Sequence, residues 1–336
     1  MDSPFTLTID GLAFTVLAAT AEETMRILGG DWSKAKAGFR GYPLSWIRAD
    51  GVRGVGKLGT RAPRRPNEIH VDLSGGIVST LTLEQIRHLL RWIEEQQGHL
   101  TRIDCALDDR TVTVTMDTIR RAVDVGQCVT RAKTMRRFSS SPTHGPNVVT
   151  GETIYFGSPQ SETLLRIYDK RLELKTKEQE HWQDYGVRWE LEFKKERAQL
   201  CGRALAYFDE ALWREFVISL LRAYVDFRQT DRDADDEDRY RAPLVEWYSR
   251  LTEGFQKGRL VAEKREQTLR QVKSWVSGSL TPMLAVVCAI PGGEEWLQRE
   301  IVEGKLRWKE RHRNLLKHKP KQSSLPPAGG HAGSLL

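Results

Sequence analysis

The segment Leu164-Leu165-Arg166-Ile167-Tyr168-Asp169-Lys170 alternates between apolar and polar side chains. Successive side chains of a β-strand point to opposite faces, so the alternation predicts a strand with Arg166, Tyr168 and Lys170 on one face. Two cations beside a phenol would hold a phosphate and favour the phenolate, as expected for a tyrosine that attacks a phosphodiester. Taken alone, the pattern also fits an edge strand with a solvated polar face.

Two further segments, 101–108 and 187–193, alternate in the same way and predict two more strands with a large apolar face. Their polar faces carry Arg102, Asp104, Asp108, Arg188, Glu190 and Glu192. If the three strands lie side by side, these polar faces merge into one floor of carboxylates and cations around a single tyrosine. Such a floor is suited to a divalent metal and a phosphate.

The composition is that of a globular protein with a basic balance. The chain has 336 residues, of which 29% are charged and 39% hydrophobic, and its net charge of +7 favours a polyanionic partner. None of the four cysteines forms a Cys-x-x-Cys pair, which argues against structural zinc and a disulfide framework. We find neither a signal peptide nor a membrane span in the sequence, and we expect a cytoplasmic protein without a membrane partner.

Composition changes along the chain predict four regions. An α+β domain is expected over residues 1–230, including a long helix over 204–227. The acidic run at 231–241 is the expected linker, followed by a helical region over 242–319. The Pro/Gly/Ser-rich end, residues 320–336, is expected to be disordered.

Residues 131–141 form a loose basic segment with an interleaved aromatic residue. It contains Lys133, Arg136, Arg137 and Phe138. One interpretation is a solvated hairpin tip. The other is a clamp on the DNA backbone, since cations and an aromatic ring suit phosphates and exposed bases.

Four segments occur in the order found in the Rep_trans family of replication initiation factors, which this chain resembles. They are Thr101–Asp109, Thr153–Ser158, Arg166–Lys170 and Arg188–Glu192. Ile9–Leu12 and Glu68–Gly75 also resemble early segments of the family. The resemblance covers roughly residues 5–230, and no motif can be placed after residue 240.

The resemblance implies an enzyme that nicks and rejoins DNA to start rolling-circle replication of small plasmids and some filamentous phages. Related relaxases serve integrative conjugative elements. The family's nucleophile is the tyrosine of the Arg-x-Tyr-Asp/Asn-Lys motif, here Tyr168, which stays linked to the 5′ phosphate. The resemblance also implies an α+β fold on a curved antiparallel sheet, a homodimer on an inverted-repeat origin, and a recruited helicase.

The residues and the resemblance together predict a metal-assisted reaction. The expected ligands of Mg²⁺ or Mn²⁺ are Asp104, Glu190 and Glu192, because hard cations prefer carboxylate oxygen. The ordinary pKa of a tyrosine is about 10, so attack by Tyr168 needs the metal, Arg166 or Lys170 to favour the phenolate.

Several side chains remain open to two interpretations. Arg102 and Arg188 are expected either to hold the phosphate or to form internal salt bridges with neighbouring carboxylates. Tyr155 is the rival nucleophile, with a structural role or a substrate contact as the alternative. His70 and Asp108 are possible further members of the site, and a structural role is the alternative for His70.

A non-catalytic origin-binding protein is the hypothesis from another class. The basic charge, the 131–141 segment and the helical C-terminal region would suffice for it. Carboxylates beside Tyr168 would bring such a protein no advantage, because they repel phosphate. This argument favours the enzyme.

Overall fold

The computed structural model describes residues 5–48, 54–112, 114–141, 151–252, 255–258, 273, 276–308, 312–313 and 316. Contacts divide the chain into two units, Met1–Ala262 and Glu263–Leu336. This division falls later than the linker expected at 231–241, and the domain assignment stays a prediction. The tail expected at 320–336 lies outside the described residues.

A ten-stranded antiparallel sheet dominates the first unit. The strands of the chain are β1 (Phe5–Val16), β2 (Trp32–Lys34), β3 (Leu44–Arg48), β4 (Gly56–Ala62), β5 (Arg65–Ser74), β6 (His99–Asp109), β7 (Cys128–Thr130), β8 (Met135–Ser140), β9 (Gly151–Phe156), β10 (Thr163–Asp169), β11 (Val187–Lys194) and β12 (Val225–Phe227). The sheet order is β2-β3-β4-β5-β1-β6-β11-β10-β9-β8, and β12 pairs with β7 separately. The expected α+β fold on an antiparallel sheet is confirmed.

Helices connect the strands of the sheet. In the first unit they are α1 (Ala21–Leu28), α2 (Gly75–Val78), α3 (Leu83–Glu95), α4 (Met116–Asp124), α5 (Lys170–Thr176), α6 (Lys195–Tyr207), α7 (Glu210–Tyr224), α8 (Asp236–Arg241) and α9 (Glu246–Leu251). The second unit contains α10 (Thr281–Cys288) and α11 (Gly293–Leu306). Of the helices described, none is long and apolar enough to cross a bilayer.

Three predicted elements differ from the structure. The long helix expected over 204–227 is two helices and a strand, because Asp209 caps a new helix by accepting a hydrogen bond from the Leu212 amide at 2.9 Å. The strand expected through Lys170 ends at Asp169, whose carboxylate caps α5 at the Leu172 amide, 2.8 Å away. The segment expected to be loose over 131–141 contains β8, the terminal strand of the sheet.

The central strands β6, β11 and β10 have the two faces that the alternation predicts. Their apolar faces are fully buried, with Leu107, Trp189 and Ile167 in one cross-strand row. The ring of Trp189 packs against Phe227 of β12 and Tyr248 of α9, with centroids 6.0 and 5.9 Å away. This core fixes the three strands side by side, so that the opposite faces meet as well.

Candidate active site

The strand registers bring the polar side chains of three strands together. Arg166 of β10 lies opposite Glu190 of β11, and Glu192 of β11 lies opposite Asp104 of β6. Opposed residues in antiparallel strands point to the same face. The polar floor expected from the alternation therefore forms, and it borders a cavity of about 420 Å³ that Tyr168 also lines.

Three buried carboxylates converge on the guanidinium of Arg166. Its Nη2 donates a hydrogen bond to Glu190 and lies 3.6 Å from Asp104 Oδ2 and 3.7 Å from Glu192 Oε2. Arg102 adds a second cation, with Nε 2.8 Å from Asp104 Oδ1 and Nη2 3.2 Å from Glu192 Oε2. The carboxylates are thus neutralised internally, since buried charges need partners.

These three carboxylates are the predicted ligands of a divalent cation. They supply hard oxygen donors, and one cationic nitrogen already lies between them. Within the described ranges, however, no group of three or more His, Cys, Asp or Glu side chains could hold a metal ion as arranged. In this arrangement the Arg166 guanidinium pairs with all three carboxylates, and their role as metal ligands stays a prediction.

Arg188 links two carboxylates from different strands. Its Nε and Nη2 donate to the two oxygens of Asp108 at 2.5 and 2.7 Å, and its Nη1 donates to Asp10 Oδ1 at 2.8 Å. The arginine is only 5% exposed. Arg188 and Arg102 therefore both form internal salt bridges, which was one of the two roles expected for each. Their contact with a phosphate stays a prediction.

Asp10 is a site residue that sequence reasoning missed. The register of β1 against β6 shifts between Ile9 and Gly11, and this bulge places Asp10 in the lining of the Tyr168 cavity. Gly11 is needed there because a Cβ atom would lie 2.6 Å from Asp104 Oδ2. The available signal was a glycine inside an alternating strand, which often marks a bulge.

The environment of Tyr168 opposes ionisation of its phenol. Burial raises the pKa of Tyr168 above its ordinary value, while the nearby Arg188 lowers it in part. Lys170 has left the strand, yet its Nζ lies 5.8 Å from the Tyr168 ring centroid and 2.8 Å from Glu173 Oε2. The tyrosine is therefore a neutral phenol until substrate or another cation changes its surroundings.

Glu190 is held in a state that suits proton transfer. Burial raises the pKa of Glu190 to about 7, although Arg166 acts in the opposite direction. Burial also raises the pKa of Asp104 above its ordinary value. A carboxyl group with a pKa near neutrality can both accept and return a proton.

Of the other predicted site residues, some line the Tyr168 cavity and some do not. Tyr155 lies opposite Arg166 and lines the same cavity, with the Arg136 guanidinium 5.3 Å from its ring centroid. Lys133 instead lines a separate cavity of about 810 Å³, together with Arg131 and Arg197. Arg137 pairs with Asp124 at 2.8 Å.

His70 belongs to the same polar face but lies apart from the Tyr168 cavity. It stacks between Phe39 and Tyr42, with ring centroids 5.8 and 5.7 Å away. Burial lowers the pKa of His70, which keeps the imidazole neutral. The surroundings are those of a packed structural histidine.

Comparisons with known proteins give one family model and one curated relative. The model of the replication initiation factor family, Rep_trans, matches residues 98–301. The protein named "Putative DNA relaxase NicK" of Bacillus subtilis (strain 168) is 25% identical over 226 residues, which are 66% of this chain and 62% of that protein. The match therefore spans less than two thirds of the relative's length.

The fold also matches a solved structure. The rolling circle replication initiator protein from Geobacillus stearothermophilus superposes with a TM-score of 0.62 at 20% identity. The match covers 75% of this chain and 97% of that structure. At this identity the likeness establishes the shared α+β fold.

Proposed function

This chain belongs to the Rep_trans family of replication initiation factors, and from that premise we propose that it nicks and rejoins one DNA strand at a replication origin. The proposed reaction is transesterification by Tyr168, which starts rolling-circle replication. The observation that carries the proposal is the cavity of about 420 Å³ that Tyr168 shares with Arg166, Glu190 and Asp10. It brings together a phenol, a guanidinium and two carboxylates, which are the groups that the proposed reaction requires.

The proposed chemistry conserves the phosphodiester bond energy. Tyr168 Oη bonds to phosphorus, the bond from phosphorus to the 3′ oxygen breaks, and the 5′ phosphate stays on the tyrosine. Asp10 lines the same cavity and is not a proposed metal ligand, so it is the proposed acceptor of the phenolic proton, which then passes to the leaving 3′ oxygen. Attack by a 3′ hydroxyl in the reverse direction reseals the strand without ATP.

Cations of the chain itself would stabilise the charge on the phosphate. Arg166 and Lys170 flank Tyr168 in sequence, and both lie close to it in the structure. Arg188 is committed to two carboxylates, so its proposed role is to hold Asp10 and Asp108 in position. A guanidinium suits both tasks because its donors form a rigid fork.

Mg²⁺ or Mn²⁺ is the proposed cofactor, and Asp104, Glu190 and Glu192 are the residues that would hold it. A bound ion would supply Lewis-acid stabilisation of the negative charge that develops on the scissile phosphate. The proposal rests on the convergence of the three carboxylates on one cationic nitrogen.

The proposed partners follow from the family premise. We propose origin DNA as the substrate, with an inverted-repeat duplex for binding and a single strand at the nick. A homodimer and a recruited helicase in the cytoplasm complete the proposal. The net charge of +7 is compatible with a DNA partner.

A nicking assay on supercoiled DNA carrying the replicon's origin tests the proposed activity. Wild type with Mn²⁺ should relax the DNA and form a covalent protein–DNA adduct, whereas Tyr168→Phe should form none. Tyr155→Phe is the matched control, because it removes a phenol from the same cavity and should keep the adduct. An adduct with Tyr168→Phe but none with Tyr155→Phe would reassign the nucleophile.

A non-catalytic origin-binding protein is the second candidate function. The observation in its favour is that arginines already neutralise the carboxylates around Tyr168. Origin binding without cleavage, with or without metal, would favour this candidate. A relaxase of an integrative conjugative element would use the same chemistry and would be distinguished by the DNA element that it nicks.

A further inference from the structure

The polar face of the sheet continues beyond Tyr168 to the terminal strand β8. Tyr168 lies opposite Thr153 of β9, and Thr153 lies opposite Phe138 of β8. Opposed residues share a face in antiparallel sheets, so Phe138 and Tyr168 point to the same side. Neighbouring strands are about 4.8 Å apart, so the backbones of Phe138 and Tyr168, which are two strands apart, are separated by about 10 Å.

Phe138 is an exposed ring held in a defined position. It is 56% exposed, and its ring meets Tyr155 edge-on, with centroids 5.6 Å apart and an interplanar angle of 89°. The Arg136 guanidinium lies 5.3 Å from the Tyr155 centroid and 6.0 Å from that of Phe138. We call these three side chains, Arg136, Phe138 and Tyr155, the aromatic platform.

We propose that the aromatic platform is a stacking subsite for a base of single-stranded DNA beside the scissile phosphate. Every base has a π-face, so aromatic rings bind single strands with little sequence preference, and an arginine adds a cation–π contact. In a duplex these faces are stacked on neighbouring base pairs. The subsite therefore selects an unpaired strand.

The position of the platform defines which nucleotides it can contact. At about 3.4 Å per stacked nucleotide, a separation of about 10 Å corresponds to at most three nucleotides from the phosphate at Tyr168. The distance from the scissile phosphate rests on the proposed function, because that function places the phosphate at Tyr168. The stacking itself needs no cleavage and can be measured separately.

The test uses full-length Tyr168→Phe protein and a fluorescent oligothymidine of about 20 nucleotides, longer than the common site sizes. Adding Phe138→Ala should weaken binding by roughly tenfold in fluorescence anisotropy. Phe138→Leu should weaken it similarly, because leucine keeps an apolar cover without a flat ring, while Phe138→Trp should retain binding. Tyr207→Ala is the matched control, since it removes a ring that is 64% exposed elsewhere.

Photo-crosslinking supplies a second readout. An oligothymidine with one 5-iodouracil should crosslink to Phe138, as located by mass spectrometry. Equal binding by the Ala, Leu and Trp variants, or no measurable binding of the oligonucleotide, would overturn the subsite. If wild type binds the oligothymidine through Phe138 but does not nick DNA, the subsite is supported and the proposed function is overturned. If wild type nicks DNA but Phe138→Ala does not weaken binding, the proposed function is supported and the subsite is overturned.

Discussion

The two faces of strands β6, β10 and β11 differ in how their buried side chains are held. On one face Leu107, Trp189 and Ile167 are covered by apolar packing. On the other, Asp104 and Glu190 are 1% and 2% exposed and are held by arginines. Apolar burial contributes directly to stability, whereas a buried ion pair roughly balances desolvation against attraction. The polar face is therefore expected to contribute less to stability than the apolar face.

The largest effect is expected where one ion of the polar face is removed. Arg188→Met should lower the free energy of unfolding by about 3–5 kcal/mol, because Asp108 and Asp10 lose their shared cation. The double variant Arg188→Met with Asp108→Leu should recover most of that loss in urea denaturation. If the double variant is no more stable than the single one, the ion pair itself stabilises the sheet.

Two neighbouring residues of β11 allow the stability contributions of the two faces to be compared directly. Leu191 points to the apolar core, and Glu192 points to the polar face. Leu191→Ala should cost about 2–5 kcal/mol of unfolding free energy through the cavity that it leaves. Glu192→Gln keeps the shape of the side chain and should cost less than about 1.5 kcal/mol in the same assay. Equal losses would contradict the division between the faces.

Metal affinity tests whether Arg166 and a divalent ion compete for one position. Arg166→Gln should raise the affinity for Mn²⁺ by about tenfold, equivalent to about 1.4 kcal/mol, because the competing cation is removed. Calorimetric titration of the protein with Mn²⁺, without DNA, measures this directly. Arg102→Gln is the comparison variant, because it removes a guanidinium from Asp104 and Glu192 and leaves the pair of Arg166 with Glu190 in place. A lower affinity in Arg166→Gln would mean that the arginine supports the ion.

The smallest effect is expected at His70, where aromatic rings cover the polar face. Its pKa is lowered by burial, so the folded state binds the proton less readily than the unfolded state. Stability from the neutral imidazole is present above about pH 6.5 and decreases as pH falls below it, by at most about 1.4 kcal/mol per unit. His70→Gln should flatten this slope in thermal unfolding between pH 7 and 5. An unchanged slope would assign the pH dependence to other groups.

Sequence alternation was sufficient to predict the faces of β6, β10 and β11, because the two-residue period decides which side chains point together. It could not predict the bulge at Asp10, which depends on the pairing of β1 with β6. Nor did it reveal that Lys170 begins a helix. At this point the strand and the helix compete for the same residues, and capping by Asp169 favours the helix. The stacking of His70 by Phe39 and Tyr42 depends on contacts about 30 residues apart in the chain.

The bond from Arg188 to Asp10 joins residues 178 positions apart in the chain. At about 5–20 residues per second, the ribosome needs roughly 9–36 seconds to add the arginine after the aspartate. Strands β1 and β6 are complete during this interval, but Asp104 and Asp108 still lack the cations of β10 and β11, Arg166 and Arg188. The cavity that Tyr168 lines can therefore assemble only late in synthesis, because nascent chains that end before residue 188 lack the arginine that holds Asp10.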